Sequence, residues 1–153
     1  MTNIIDGKEI SKIIRSEQKV KVELLKKNTG ITPGLAVVLV GEDPASQAYV
    51  RSKRRACKNM GILSRDYNFP TNIEELDLLN LISELNADAE IHGILVQLPL
   101  PKHINENEVL LSILPDKDVD GFHPQSLGKL VIGMETFFSC TPFGIIKINI
   151  RIK

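Results

Sequence analysis

The sequence predicts an α/β fold, a three-layer parallel sheet with helices on both faces. Three observations predict it. Two apolar runs, residues 35–40 and 91–97, are continuous rather than alternating, as strands covered on both faces are. Segments with helical apolar period stand between the extended runs. The resulting β, α, β, α order needs long crossovers, and these join parallel neighbours with right-handed connections.

Residues 7–27 form a helix with Ile10, Ile13, Ile14, Val20 and Leu24 on one side, and residues 30–34 turn the chain. Leu-Ala-Val-Val-Leu-Val at 35–40 is the first buried strand. The loop Gly41-Glu-Asp-Pro44 opens a helix over 45–60, closed by Gly61 as helices commonly are. Residues 63–69 form a second strand, and 72–86 a helix whose apolar face carries Leu76, Leu79, Ile82 and Leu85. The third strand, 91–97, stops at Pro99 and Pro101. Residues 105–114 are helical, with Glu106 and Glu108 at the end where the helix dipole favours acids. Residues 115–124 are rich in turn formers. At the end of the chain Ile146, Ile148, Ile150 and Ile152 alternate with other residues, a strand period.

With 153 residues, 42% of them hydrophobic, the chain can bury one sizeable core, so one domain is expected. Its 19 basic and 19 acidic side chains cancel, and a net charge of zero gives no reason to expect nucleic acid or a membrane surface as partner. The amino terminus has no signal-peptide pattern and no run reaches the length of a membrane span, so a cytoplasmic protein is expected. Cys57 and Cys140 lack a second cysteine at motif spacing and read as reduced packing residues. His92, His103 and His123 have no ligand spacing, so no metal is expected.

Three positions invite a chemical reading. Gln97 ends the most apolar run, and open α/β sheets place ligands at the carboxyl ends of their strands; its amide could equally satisfy a loop backbone. On the helix over 45–60, steps of about 100° put Ala45, Tyr49, Val50, Lys53, Ala56, Cys57 and Met60 on one arc, with Gln47, Arg51, Arg54, Arg55 and Lys58 on the other. Lys53 therefore stands on the apolar side, where desolvation and neighbouring cations suit a lysine to acid/base chemistry, or where its stem could simply snorkel over the core. Tyr49 precedes it by one turn, close enough for both to touch one ligand. The stretch Pro115-Asp-Lys-Asp118-Val-Asp120-Gly lacks the alternate oxygen ligands of a calcium loop. One of its aspartates could accept hydrogen bonds from an amino-substituted heterocycle, or the whole could be a solvated turn.

Five motifs occur in order: Ser46-x-x-Tyr49-x-x-x-Lys53, Gly93-Ile-Leu-Val-Gln97-Leu-Pro-Leu-Pro101, Lys117-Asp-Val-Asp120-Gly-Phe122, Gly128-Lys-Leu130 and Cys140-Thr-Pro142-x-Gly144. In these the chain resembles the bifunctional methylenetetrahydrofolate dehydrogenase/methenyltetrahydrofolate cyclohydrolase family, over residues 5–146 and over the first half of a member. The resemblance implies a folate-binding catalytic domain over 1–140. Residues 141–153 would begin the connection to a Rossmann domain, which is missing here along with its G-x-G-x-x-G fingerprint. It also implies interconversion of 5,10-methylene-, 5,10-methenyl- and 10-formyltetrahydrofolate, NADP as cofactor of the full-length family, no metal, and a homodimer. In residue terms it implies Lys53 as acid/base of the hydrolytic step, Gln97 as its hydrogen-bond partner, Tyr49 against the pterin and aryl ring, and Asp120 on the amino-pyrimidine edge. Ser139 stands where the family pattern has proline, and the tail departs from the family's helix. The alternatives are a non-catalytic remnant that at most binds folate weakly and, from Lys53 alone, Schiff-base chemistry.

Overall fold

A computed structural model describes residues 5–152. Helix α1 (Gly7–Thr29) starts at Asp6, whose carboxylate accepts the amides of Lys8 and Glu9 at 2.9 and 3.1 Å. Strand β1 (Gly34–Val40) leads to α2 (Pro44–Met60), β2 (Leu63–Phe69), α3 (Glu75–Ala87) and β3 (Gly93–Val96). Helix α4 (Glu106–Ser112), a 3-10 turn (Pro115–Lys117), α5 (Pro124–Val131) and α6 (Cys140–Ile152) complete the described chain.

The sheet has the order β2-β1-β3 with every pair parallel, Leu35 opposite both Ser64 and Gly93. Ladder bonds from His92 N–H to Gly34 O and from Gln97 N–H to Val38 O, each 2.8 Å, carry the pairing one residue past either end of β3. One face of the sheet, Ala36, Val38, Val40, Ile94 and Val96, packs with Leu78, Ile82 and Leu85 of α3 and Val109 of α4. The other, Val37, Leu39 and Leu95, packs with Val50 of α2. The three-layer parallel sheet expected from the sequence is what forms. Gly93 is required at the start of β3 because a Cβ there would drive into Val119. Among the described residues no helix is long and apolar enough to cross a membrane.

Four expectations need correction. The isoleucine-rich tail is helical, as α6, and not a strand. Ile145, Ile148 and Ile152 also stand at i, i+3 and i+7, and Ile146 and Ile150 at i, i+4, so the run satisfies a helix as well as a strand. Helix α6 meets α1, where Arg151 donates to Glu17 at 2.6 Å. On α3 the buried side is Leu78, Ile82 and Leu85, and Leu76 is 67% exposed. Leu78, Ile82 and Leu85 stand at i, i+4 and i+7 with Leu79 partly buried beside them, and Leu76, two residues before Leu78, falls off that face. Helix α1 buries none of its residues: it rests on α2, outside the sheet layers, and leaves Ile13, Val20 and Leu24 exposed. The helix expected over 105–114 ends at Ser112, before the 3-10 turn, and α5 follows where no helix was expected.

The corrected face of α3 can be tested directly. Leu78→Ala, at a side chain with no exposure, is expected to lower stability in urea unfolding by about 2–5 kcal/mol. Leu76→Ala should stay within about 0.5 kcal/mol of the parent, the range of exposed sites.

Candidate active site

The sheet order makes β1 and β3 neighbours whose outgoing connections cross opposite faces, α2 on one side and α4 on the other. Such a switch point opens a crevice at the strands' carboxyl ends. Helix α2 is anchored there by Asp43, which accepts the Ser46 amide at 2.7 Å, with Pro44 in the first turn. That amide holds the Asp43 carboxyl below its ordinary value, with the Ser46 side chain assisting. About three turns later, Lys53 comes over the end of β3.

Lys53 Nζ donates to Gln97 Oε1 at 3.1 Å. The same amide donates through Nε2 to the Leu98 carbonyl at 2.8 Å, so its oxygen is the end offered to the lysine. The Leu98–Pro99 peptide is cis. Lys53, Gln97 and Asp120 line one cleft of about 300 Å³, together with Val96, Leu98, Phe122, Ser139, Cys140 and Thr141. Three of the four residues singled out in the sequence thus meet. Tyr49, the fourth, lies one turn before Lys53, 64% exposed, and is not in the cleft wall.

The acidic stretch sorts into separate tasks. Lys117 Nζ donates to the carbonyls of Leu85 and Asp88 at 2.9 and 2.8 Å, tying the turn to the carboxyl end of α3, where a cation is favoured. Asp118 is buried and fully hydrogen bonded within the protein. Asp116 faces solvent, 3.9 Å from Lys129. Asp120 points into the cleft, and no hydrogen bond from the described residues reaches its carboxylate. Gly121 turns the chain at φ 67°, and a Cβ there would lie 2.9 Å from the Phe137 carbonyl. That close approach brings residues 137–139, and with them the start of α6, against the aspartate.

Burial raises the Asp120 carboxyl from its ordinary value; Lys53 opposes the rise and Asp118 adds to it. Burial likewise raises the Cys140 thiol, with Asp120 adding and Lys53 opposing. Cys57 is a buried packing residue, but Cys140 is an exposed thiol on the cleft wall, unlike the packing role expected for it. Sequence reasoning missed Phe122, Ser139, Cys140 and Thr141 as wall residues. Their only signal was that they lie within or beside two of the five motifs. The histidines serve the backbone: His92 and His123 accept the amides of Gly34 and Gln125 through Nδ1, each at 3.1 Å, and His103 Nε2 lies 2.9 Å from the Ile73 carbonyl. Among the described residues no group of three or more His, Cys, Asp or Glu side chains is placed to hold a metal ion.

The family profile described as tetrahydrofolate dehydrogenase/cyclohydrolase, catalytic domain, matches residues 5–120. This chain belongs to that family. Among its relatives, the bifunctional protein FolD of Magnetococcus marinus is 54% identical over 147 residues, which are 96% of this chain and 52% of the relative. The crystal structure of the bifunctional FolD enzyme, methylenetetrahydrofolate dehydrogenase/cyclohydrolase, from Campylobacter jejuni superposes with a TM-score of 0.92 at 50% identity. It too is covered over 52% of its chain, against 95% of this one. A structure of the Trypanosoma brucei methylenetetrahydrofolate dehydrogenase-cyclohydrolase, complexed with NADP and an inhibitor, gives 0.92 at 33% identity, with 96% of this chain and 50% of that one covered. The chain therefore spans about half the length of the relatives it matches.

The raised Asp120 carboxyl has a consequence for stability. A group whose folded-state value is raised contributes most below its unfolded value, about 3.9 for aspartate, and loses that contribution as pH rises through the folded value. Asp120→Asn is accordingly expected to melt above the parent near pH 7, with the difference vanishing at about pH 3, where both side chains are neutral. A variant that melts below the parent at neutral pH would reverse the sign.

Proposed function

We propose that this chain is the folate-binding half of a methylenetetrahydrofolate dehydrogenase/methenyltetrahydrofolate cyclohydrolase, working in the cytoplasm, and that its own cleft carries the hydrolytic chemistry. The observation that carries this reading is the Lys53–Gln97 hydrogen bond at 3.1 Å, with the Asp120 carboxylate on the same cleft wall. The methenyl carbon of the substrate is cationic and electrophilic. Water attacking it forms a carbon–oxygen bond and must lose a proton, which the Lys53 side chain accepts as general base. The carbon–nitrogen bond of the bridge then breaks, and the departing nitrogen takes a proton back. Gln97 orients the lysine head and, being itself locked on the Leu98 carbonyl, cannot rotate to present its NH₂ without losing that bond.

Asp120 supplies what the pterin requires. The amino-pyrimidine edge presents adjacent N–H donors, and an ionised carboxylate accepts two of them in parallel, with shorter and stronger bonds than a neutral acceptor gives. Its oxygens are free of protein donors among the described residues. Tyr49, exposed one turn before Lys53, would stack its ring against the aryl portion of the substrate. Cys57 and Cys140 are free thiols, in keeping with a reducing compartment.

The family's NADP does not fit the described residues. A dinucleotide pyrophosphate needs open amides at a helix amino terminus reached through a glycine-rich turn. Here the Asp43 carboxylate occupies the Ser46 amide of α2, Asn105 accepts those of Asn107 and Glu108 at the start of α4, and α3, which carries no side-chain cap, is entered through Thr71-Asn-Ile-Glu74 and not through a glycine-rich turn.

Two measurements test this reading. Lys53→Met, in this chain and at the same position within a full-length relative, is expected to slow hydrolysis of 5,10-methenyltetrahydrofolate by at least ~10²-fold with unchanged circular dichroism. An unaltered rate would return Lys53 to a structural role. Calorimetry of the chain with NADP is expected to show no saturable binding at up to millimolar ligand, and a micromolar dissociation constant would overturn the assignment of cofactor binding to the other half.

A further inference from the structure

The least exposed carboxylate near the cleft is not the one that faces it. Asp118 is 3% exposed and sits where three elements converge. Its backbone bridges to Ile94 of β3. Its Oδ1 accepts the Gly121 amide at 3.1 Å, and its Oδ2 accepts the His123 amide at 2.8 Å and the Ser126 hydroxyl at 3.1 Å. Ser126, on α5, is itself 1% exposed. A carboxylate this far from water is tolerated only with donors around it, and here they come from the turn that follows it and from α5. The backbone carbonyl of Asp118 adds a second hold on Gly121 at 3.3 Å. Asp120 stands between Asp118 and the Gly121 amide that Asp118 anchors, and among the described residues no hydrogen bond reaches its carboxylate. The turn has little freedom to adjust, because Gly121 lies at positive φ against the backbone of 137–139.

We infer that Asp118 is a positioning residue of the cleft: by gathering the amides of Gly121 and His123 and the Ser126 hydroxyl, it holds the 119–123 backbone so that Asp120 meets the amino-pyrimidine edge of a folate already aligned. This rests on the folate reading above and adds to it a residue that touches no substrate. Pre-alignment matters because a two-bond contact to adjacent N–H donors tolerates little rotation, and ordering a loose turn on binding would cost affinity.

A merely structural role would lower stability and nothing else, so the test reads two further quantities. The charged and titratable groups facing Asp120 are Lys53 from α2, Cys140 from α6 and Asp118 from its own turn. Asp118→Asn keeps the size of the side chain but removes its charge and one acceptor. In this variant the Asp120 carboxyl, followed by carbon-13 NMR, is expected to titrate at lower pH than in the parent, because a neighbouring anion is gone. Calorimetry with folic acid is expected to show a roughly tenfold loss of affinity, the scale of one misplaced charge-assisted hydrogen bond. Ser126→Ala, a milder change that leaves every charge in place, guards against failure of the first variant to fold. It is expected to weaken folic acid several-fold with the Asp120 titration unmoved. Parent-like affinity for folic acid in both variants, or an Asp120 titration unmoved in a folded Asp118→Asn, overturns the inference. Should the parent itself bind no folic acid, the folate reading falls, and the NMR titration alone then decides whether Asp118 governs Asp120.

Discussion

Strand β1 is buried on both faces, and the cleft follows from that double burial. Ala36, Val38 and Val40 must meet one helical layer while Val37 and Leu39 meet the other, so the strand can sit only at the centre of the sheet with parallel neighbours on either side. Its connection to β2 runs through α2 on one face, and the path into β3 runs through α3 on the other. Two chain segments far apart in sequence then end side by side, and the crevice between them cannot be filled by either crossover. Lys53 and Gln97 meet there at a sequence separation of 44.

Within that crevice the polar groups divide between holding and presenting. Lys117 secures the turn to α3, Asp118 secures it to β3 and α5, and the Gln97 amide is pinned by the Leu98 carbonyl. What remains free is the lysine head, one face of the glutamine oxygen and the Asp120 carboxylate. A cleft with one amine and one uncommitted carboxylate favours a ligand that carries an electrophilic carbon at one point and paired N–H donors at another. The methenyl-folate ring system has both, and this complementarity ties the fold to the proposed reaction.

The chain matches its relatives over about half of their length. Lys53, Gln97 and Asp120, the polar residues of the cleft, stand on segments gathered around the sheet. Helix α1, by contrast, offers Ile13, Val20 and Leu24 to solvent, and Ile146 and Ile150 of α6 are exposed as well. The core is therefore complete around the sheet and incomplete around the two outermost helices.

Continuous apolar runs in the sequence were enough for β1, β3 and the two-sided core, because such runs record burial on both faces, whereas β2 has no such run and the apolar stripe of α1 stays exposed. The turn glycines and the anchoring of α2 by Asp43 are equally local, since positive φ and capping depend on immediate neighbours. The apolar arc of α2 marked Lys53, and the end of a buried run marked Gln97, but neither could say that the two touch, because that contact is made by sheet order. Which aspartate of the acidic turn faces the cleft came only from resemblance. In the structure the choice is made by Asp118, whose donors arrive from its own turn and from α5 and commit it to the interior. The isoleucine tail shows the opposite limit: alternation and helical stripes coexist in Ile145, Ile146, Ile148 and Ile150, so the pattern is ambiguous by itself. Packing beside α1, with Arg151 on Glu17, makes it a helix, and no local signal in the sequence carries a contact across so long a separation.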